Sequence, residues 1–310
     1  MIFEHSKTHA VRVDAVTKKF GGHCAVDGLS LAVPRGGVYG FIGPNGSGKT
    51  TTLRMIMNLI FPDTGTIEVL GRRSSSAARD RVSYLPEERG LYKKMTVRGV
   101  LRYYGLLKGA DPATVEASLS KWLERLDLGA WAGKKVEELS KGMAQKVQFI
   151  SALVSEPELL ILDEPFSGLD PVNAHEMKKV LGEIKAAGGT VILSTHDMAA
   201  AEILCDRIGM IFHGRKVLDG TLAEIQAQYT DDAVSVRTDK SLGFLGGLAG
   251  VVSAEALGGD QVLRLNEDPQ KFLKLLAASA EVRHFEILKP SLNAIFLKLA
   301  LPPRESHVPA

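Results

Sequence analysis

Residues Gly43 to Thr51 read "GPNGSGKTT", and this nonapeptide decides how the rest of the chain is read. It fits the spacing G-x-x-x-x-G-K-[ST], in which each residue type has a mechanical reason. Glycines let successive backbone N–H groups curl around an anion, the lysine reaches terminal phosphates, and a hydroxyl at Thr50 suits Mg2+. The context is the one this mechanism needs. "VYGFIG" (Val38 to Gly43) reads as an apolar strand entering the loop, and "TTLRMIMNLI" from Thr51 as a helix leaving it. The helix start adds its own unpaired N–H groups and the positive end of its dipole. Gly43, Pro44, Asn45, Gly46, Ser47, Gly48, Lys49, Thr50 and Thr51 therefore predict a nucleoside triphosphate site.

Working outward, "LLILDEP" (Leu159 to Pro165) is an apolar strand that delivers two adjacent carboxylates at its end. In nucleotide-hydrolysing proteins with such a loop, an aspartate at Asp163 holds Mg2+. A carboxylate one residue on, at Glu164, is placed to take a proton from an attacking water. Taken alone, Asp-Glu after a strand also reads as a loop start or a helix cap. "LSTHDM" puts His196 after another apolar strand, where an imidazole can bond the γ-phosphate and orient water. A lone histidine there is otherwise an ordinary satisfied polar residue.

The pattern around these motifs is α/β. From Val11 to about Leu222, short β-branched runs alternate with helical stretches, the signal of a largely parallel sheet wrapped by helices. "VYGFIG", "TIEVLG" (Thr66 to Gly71), "RVSYLP" (Arg81 to Pro86), "LLILD" and "TVILST" (Thr190 to Thr195) are its candidate strands. Between about 92 and 155 the periodicity is helical throughout and predicts a helical subdomain inserted into the sheet domain. Residues 223–302 change texture to β-α-β-β-α-β, a small α+β domain of ferredoxin-like plan. Residues 303–310, polar and proline-rich, are expected to be a disordered tail.

Composition narrows the partners. The chain has 310 residues, room for about two domains at roughly 150 residues each. Its net charge of +2 lacks the basic excess of a nucleic-acid footprint, and lysine pairs such as Lys93-Lys94 read as solvated faces. No run approaches the ~18 apolar residues of a membrane span, and "MIFEHSKTHA" lacks the apolar core of a signal peptide. Two cysteines, Cys24 and Cys205, form no disulfide framework, and His23-Cys24 has no companion metal ligands nearby.

The ordered set "GPNGSGKTT", "LSKGM" (Leu139 to Met143), "LLILDEP", "SGLDP" (Ser167 to Pro171) and "STHD" (Ser194 to Asp197) resembles the ATP-binding subunit of ABC transporters over roughly the first 222 residues. The resemblance implies the phosphate-loop NTPase fold of ABC type, with ATP and Mg2+ as ligands. It also implies a head-to-tail pair of subunits, in which the signature motif of one closes on the phosphates held by the other. Carried over by residue, Thr50 and Asp163 are metal-binding, Glu164 is the general base and His196 senses the γ-phosphate. Ser140, Lys141, Gly142 and Met143 form the signature acting in trans, although Ser140 also reads as a plain N-cap. Asp170 corresponds to the residue communicating across the dimer. Phe20 stands where an aromatic ring stacks on adenine, the plain alternative being a core phenylalanine.

Two departures stand out. Glu87, in "YLPEERG", takes the place of the family's glutamine, and a carboxylate there can still ligate a hard cation through oxygen. The signature carries Lys141 and Met143 where "LSGGQ" is more usual. "YLPEERGLY" with the C-terminal "PSLNAIFLKLA" is similar to bacterial efflux-type subunits for sodium or drug export.

The sequence-level expectation is an ATPase at the cytoplasmic face of the membrane. It powers an exporter through a separate integral membrane permease, as a homodimer, with no nucleic acid partner. The permease would dock near Glu87 to Met95, where Leu91 and Tyr92 offer an apolar contact. The alternative is a soluble ABC ATPase acting on ribosomes or DNA. Lys49 and Ser140 stand too close for a long coiled-coil insertion, and no cysteine cluster is present. A non-hydrolysing binding module is opposed by the intact Glu164 and His196.

Overall fold

The computed structural model describes residues 8–73, 80–88, 90–229, 233–257 and 260–300. The stretch 303–310 lies outside them. The chain divides into two compact units, residues 1–222 and 223–310.

In the first unit, β1 (His9–Phe20) and β2 (His23–Pro34) form a hairpin turning at Gly21-Gly22. β3 (Gly37–Ile42) leads into α1 (Lys49–Ile56), followed by β4 (Thr64–Val69), β5 (Arg72–Arg73) and β6 (Val82–Leu85). Three helices come next: α2 (Val97–Leu107), α3 (Pro112–Arg125) and α4 (Lys141–Leu153). The unit continues through β7 (Leu159–Asp163), α5 (Pro171–Ala186), β8 (Thr190–Thr195), α6 (Met198–Leu204), β9 (Arg207–Phe212) and β10 (Arg215–Gly220). Between 92 and 155 the described residues are helices and turns, apart from one bridge between Thr96 and Lys135.

Two sheets share the work, where the pattern predicts one. The central sheet runs β10-β9-β3-β8-β7-β6, parallel except for the antiparallel edge strand β10. "TIEVLG" is not part of it: β4 joins β2, β1 and β5 in a separate antiparallel sheet. The misassignment has a physical source, since strand periodicity records burial and not the neighbour a strand pairs with.

The central strands are buried on both faces, and their alternation sorts side chains into two cores. Val38, Leu160, Leu162, Val191 and Leu193 face the helical insert and α5, meeting Leu119, Phe149, Ile150 and Val180. Tyr39, Phe41, Leu159, Ile161 and Ile192 face α1 and the antiparallel sheet, meeting Leu53, Ile56, Val13 and Leu29. Each fully buried aliphatic side chain contributes about 1.5–3 kcal/mol, so both layers are firmly anchored to this sheet.

Helix ends follow local chemistry. Asp111 caps α3, accepting from the amides of Ala113 and Thr114, with Pro112 at the first helical position. Asp170 and Pro171 repeat the device on α5.

From Ala223 on, the second unit contains the rest of α7 (Leu222–Gln228), β11 (Ala233–Thr238), α8 (Leu242–Gly246), β12 (Val251–Leu257), β13 (Asp260–Leu265), α9 (Pro269–Ser279), β14 (Val282–Leu288) and α10 (Leu292–Ala300). Its sheet order, β12-β13-β11-β14, is antiparallel throughout and matches the ferredoxin-like plan. Val234, Val236, Leu263, Phe272 and Leu276 form its core.

Candidate active site

The parallel register brings the chemistry together. Ile42 pairs with Thr195, and Asp163 with Ser194, so β3, β7 and β8 end at one level. The phosphate loop, Glu164 and His196 each follow one of these ends. In open α/β sheets, ligands bind at the carboxyl ends of the strands.

The loop fits an anion. Gly48, at φ 106°, caps α1 without a side-chain hydrogen bond, and no acidic residue occupies the first turn. The first amides of α1 therefore remain available to a phosphate. A Cβ on Gly48 would strike the carbonyl of Ala25, and one on Gly43 the carbonyl of Ile211, so only glycine fits this cradle. The buried Ser47 hydroxyl has no hydrogen-bond partner among the described residues.

Lys49 is 6% exposed and donates to the carbonyls of Gly43 at 2.8 Å and Pro44 at 3.2 Å. Its ammonium lies 3.7 Å from Oε1 of Glu164, which is 7% exposed. Burial lowers the Lys49 pKa, against the raising pull of Glu164, Asp163 and Glu87.

Glu164 sits at φ 48°, a left-handed conformation that costs a non-glycine residue about 1–3 kcal/mol. The neighbouring strand holds it there. Its amide donates to the carbonyl of Ser194 at 2.9 Å, and the Thr195 hydroxyl donates to Oε2 at 3.2 Å. His196 Nδ1 lies 2.8 Å from Oε1, so the imidazole and the carboxylate form one pair. Asp163, 1% exposed, accepts from the Ser194 hydroxyl at 2.8 Å and the Tyr84 hydroxyl at 3.3 Å.

A cleft of 360 Å³ opens beside this cluster, lined among others by Phe20, Gly46, Lys49, Thr50, Glu87 and Glu164. Phe20 is no core residue: it is 50% exposed at the end of the β1–β2 hairpin, with the Lys18 ammonium 5.5 Å from its ring centre. Asn45, Thr51 and His23 also line the cleft. His23 is thus near the nucleotide loop, while among the described residues no His, Cys, Asp and Glu cluster suits a metal ion on its own.

Ser140, Lys141, Gly142 and Met143 are not among the described residues that line the cleft. They begin α4, where the Ser140 hydroxyl accepts from the Met143 amide at 3.3 Å. A Cβ on Gly142 would stand 2.7 Å from the Asn173 amide nitrogen, which itself donates to Asp170 at 2.5 Å. The signature segment therefore packs against the start of α5. The amide of Asn173 first, and its side chain next, hold the Asp170 carboxyl below the usual range.

Several participants escape the motif reading. Ser194 and Thr195 stand in plain view before His196, and two hydroxyls beside a carboxylate pair are a usable signal. Tyr84, Gln145 and Gln148 act across long sequence separations. Gln145 donates to the carbonyls of Pro165 and Ser167, and Gln148 to that of Glu88.

A phosphate loop, a buried carboxylate pair and a histidine at the ends of parallel strands define a phosphate-loop NTPase. The ABC transporter family model matches residues 26–167, and that of the C-terminal domain of DrrA1-3-like ATP-binding proteins matches residues 220–300. An uncharacterized ABC transporter ATP-binding protein of Bacillus subtilis (strain 168), YhaQ, is 42% identical over 92% of this chain and 97% of its own length. The Nod factor export ATP-binding protein I of Paraburkholderia xenovorans is 36% identical over 94% of this chain and 96% of its own length. The daunorubicin resistance ATP-binding protein DrrA3 of Streptomyces coeruleorubidus is 33% identical over 94% and 95%. A solved ATP-binding subunit of an ABC transporter, 34% identical, superposes with a TM-score of 0.67 over 71% of this chain and 93% of its own. The chain belongs to the ATP-binding subunits of ABC transporters, ATPases that hydrolyse ATP to power transport.

Proposed function

We propose that the chain is the motor of an exporter: two identical copies at the cytoplasmic face of the membrane hydrolyse ATP and drive a separate permease. The observation that carries the reading is the Lys49–Glu164–His196 cluster at the mouth of a nucleotide-sized cleft. Residues 1–222 serve as the ATPase domain, with 92–155 as its helical subdomain, and 223–302 as an accessory domain.

ATP enters with adenine against Phe20 and its phosphates against Gly43 to Thr51. Lys49 has three N–H donors: two point at loop carbonyls, and the third faces Glu164, from which a phosphate oxygen would take it. Thr50, Asp163 and Glu87 offer the hard oxygen donors that suit Mg2+, which typically takes one or two carboxylates plus substrate phosphates. Bound there, the ion would neutralise charge on the phosphates. Glu164 accepts the proton of the attacking water at an oxygen held by Thr195 or His196. His196 gives Nδ1 to Glu164, leaving Nε2 for the γ-phosphate. Within the Ser140 to Met143 segment, the exposed Ser140 and Lys141 support its use on the partner's nucleotide, with Asp170 beside it.

Among the described residues no helix is long and apolar enough to cross a membrane, which fits a separate permease. A groove of 340 Å³, lined by Leu59, Pro86, Leu91, Tyr104, Leu107 and Gln148 among others, supports docking beside Glu87. Tyr92, 53% exposed, extends this apolar surface by stacking near Tyr104. The names of the Nod factor and daunorubicin relatives support export. Purification of the tagged chain from detergent-solubilised native membranes tests the proposal. A multi-span permease is expected in stoichiometric amount, whereas ribosomes or DNA in its place would overturn the reading.

A further inference from the structure

Helix α4 begins at the signature segment and then runs inward. Among its buried residues, Val147, Phe149, Ile150, Ala152 and Leu153 are apolar, and Gln148 is a lone amide at 7% exposure. A buried amide is tolerated only where its polar atoms find partners. Gln148 Nε2 donates to the carbonyl of Glu88 at 3.0 Å and lies 3.5 Å from that of Pro86. These carbonyls flank Glu87, whose own side chain turns to the cleft shared with Lys49 and Thr50. Gln148 also lines the groove beside Leu91 and Tyr104. One side chain thus touches the loop of Glu87, the groove and the helix that starts with Ser140 to Met143.

Gln145 reinforces this arrangement. One helical turn earlier, its Nε2 donates to the carbonyl of Pro165 at 3.0 Å and of Ser167 at 3.2 Å, just after Glu164. The helix therefore grips a backbone segment beside each of two cleft carboxylates, Glu87 and Glu164. Packing alone does not require this, because an apolar side chain of equal length would fill the site of Gln148.

We infer that Gln148 is a positioning residue, which holds Glu87 in the nucleotide cleft and ties its placement to α4 and to the groove. The inference rests on the roles proposed above for Glu87 and for the groove. It adds a specific carrier: displacement of the groove wall or of α4 reaches Glu87 through one side-chain amide.

The test is a double-mutant cycle in the full chain, using Gln148→Met, Glu87→Ala and both together. Gln148→Met keeps length and apolar packing but removes the donor. ATPase kcat and KM, affinity for a fluorescent ATP analogue and the melting temperature are measured for each. Gln148→Met is expected to lower kcat on the order of tenfold, as loss of a supporting partner does, with nucleotide affinity unchanged within about twofold. In the Glu87→Ala background it should cost nothing more. Gln148→Leu, apolar and without the donor, repeats the measurement with a different side-chain shape. A wild-type kcat in both Gln148 variants, or additive losses in the cycle, overturns the inference alone. Glu87→Ala with wild-type kcat overturns the role of Glu87 together with it.

Discussion

Lys49 and Glu164 are buried, and each is held by bonds from within its own chain. Ser140 and Lys141 lie exposed at the start of α4, and the Ser140 hydroxyl has one long bond, to its own helix. Both regions belong to the same unit, and both are read as meeting phosphate. The difference follows from when each must be assembled. A carboxylate that takes a proton gains from being fixed before the reaction, because its reorganisation then adds nothing to the barrier. A surface proposed to close on a second copy would keep its donors outward until that copy arrives. Preorganisation therefore belongs to the cleft, and exposure to the signature segment.

Replacing Glu164 by Gln should make the sharpest break. The amide is nearly the same shape, but it removes the proton acceptor, so kcat should fall by about 10²–10⁴. Lys49 and the phosphate loop remain, so ATP should still bind. Size-exclusion chromatography with Mg-ATP should show a dimer accumulating, since nothing consumes the nucleotide that holds it. Turnover within tenfold of wild type would count against the buried cluster as the seat of hydrolysis.

Ser140→Arg attacks the exposed region instead. The lost N-cap costs about 1 kcal/mol, which a core of this size can bear, and the arginine projects into solvent in the isolated chain. Nucleotide affinity of the monomer should be unaltered. ATP-driven dimerisation should disappear, and kcat should fall on the order of a hundredfold, as when one preorganised donor to a reacting phosphate is lost. If dimerisation and turnover both survive, the two regions are not two faces of one composite site.

The same contrast explains what is legible in the sequence alone. "VYGFIG", "LLILD" and "TVILST" announce themselves because central parallel strands are apolar on both faces. "GPNGSGKTT" does so because its glycines serve a backbone shape that other residues cannot adopt. "TIEVLG" was legible as a strand but not as a member of the antiparallel sheet, because pairing partners leave no local period. Long β1 and β2 also hide, since bulges interrupt their register. Ser194 on Asp163, Gln145 on Pro165 and Gln148 on Glu88 link residues far apart in sequence, and two of these end on backbone carbonyls, which carry no residue identity. For the second unit, the β-α-β-β-α-β texture specified a plan, yet its apolar core of Val234, Leu263 and Phe272 carries no chemistry from which a role follows.

The smallest expected effect is a pH dependence, and it separates two consequences of burying Lys49. Burial lowers its pKa in the folded chain below the ~10.4 of a free lysine. Between those two values the unfolded chain binds more protons than the folded one, so this lysine's contribution to stability rises with pH in that window. Nucleotide affinity must run the other way, because a triphosphate prefers the charged ammonium. It should be fully present below the lowered pKa and decline as pH rises through it, beginning before an ordinary lysine would titrate. Glu164→Gln removes a charge that pulls the Lys49 pKa upward, so it should shift the decline in affinity to lower pH. Lys49→Arg keeps its charge across the range and should flatten the profile, even if its affinity is lower. Titrations with a fluorescent ATP analogue, alongside melting curves at the same pH values, read both trends. Affinity and stability moving in the same direction through that window would mean that Lys49 is not the group linking them.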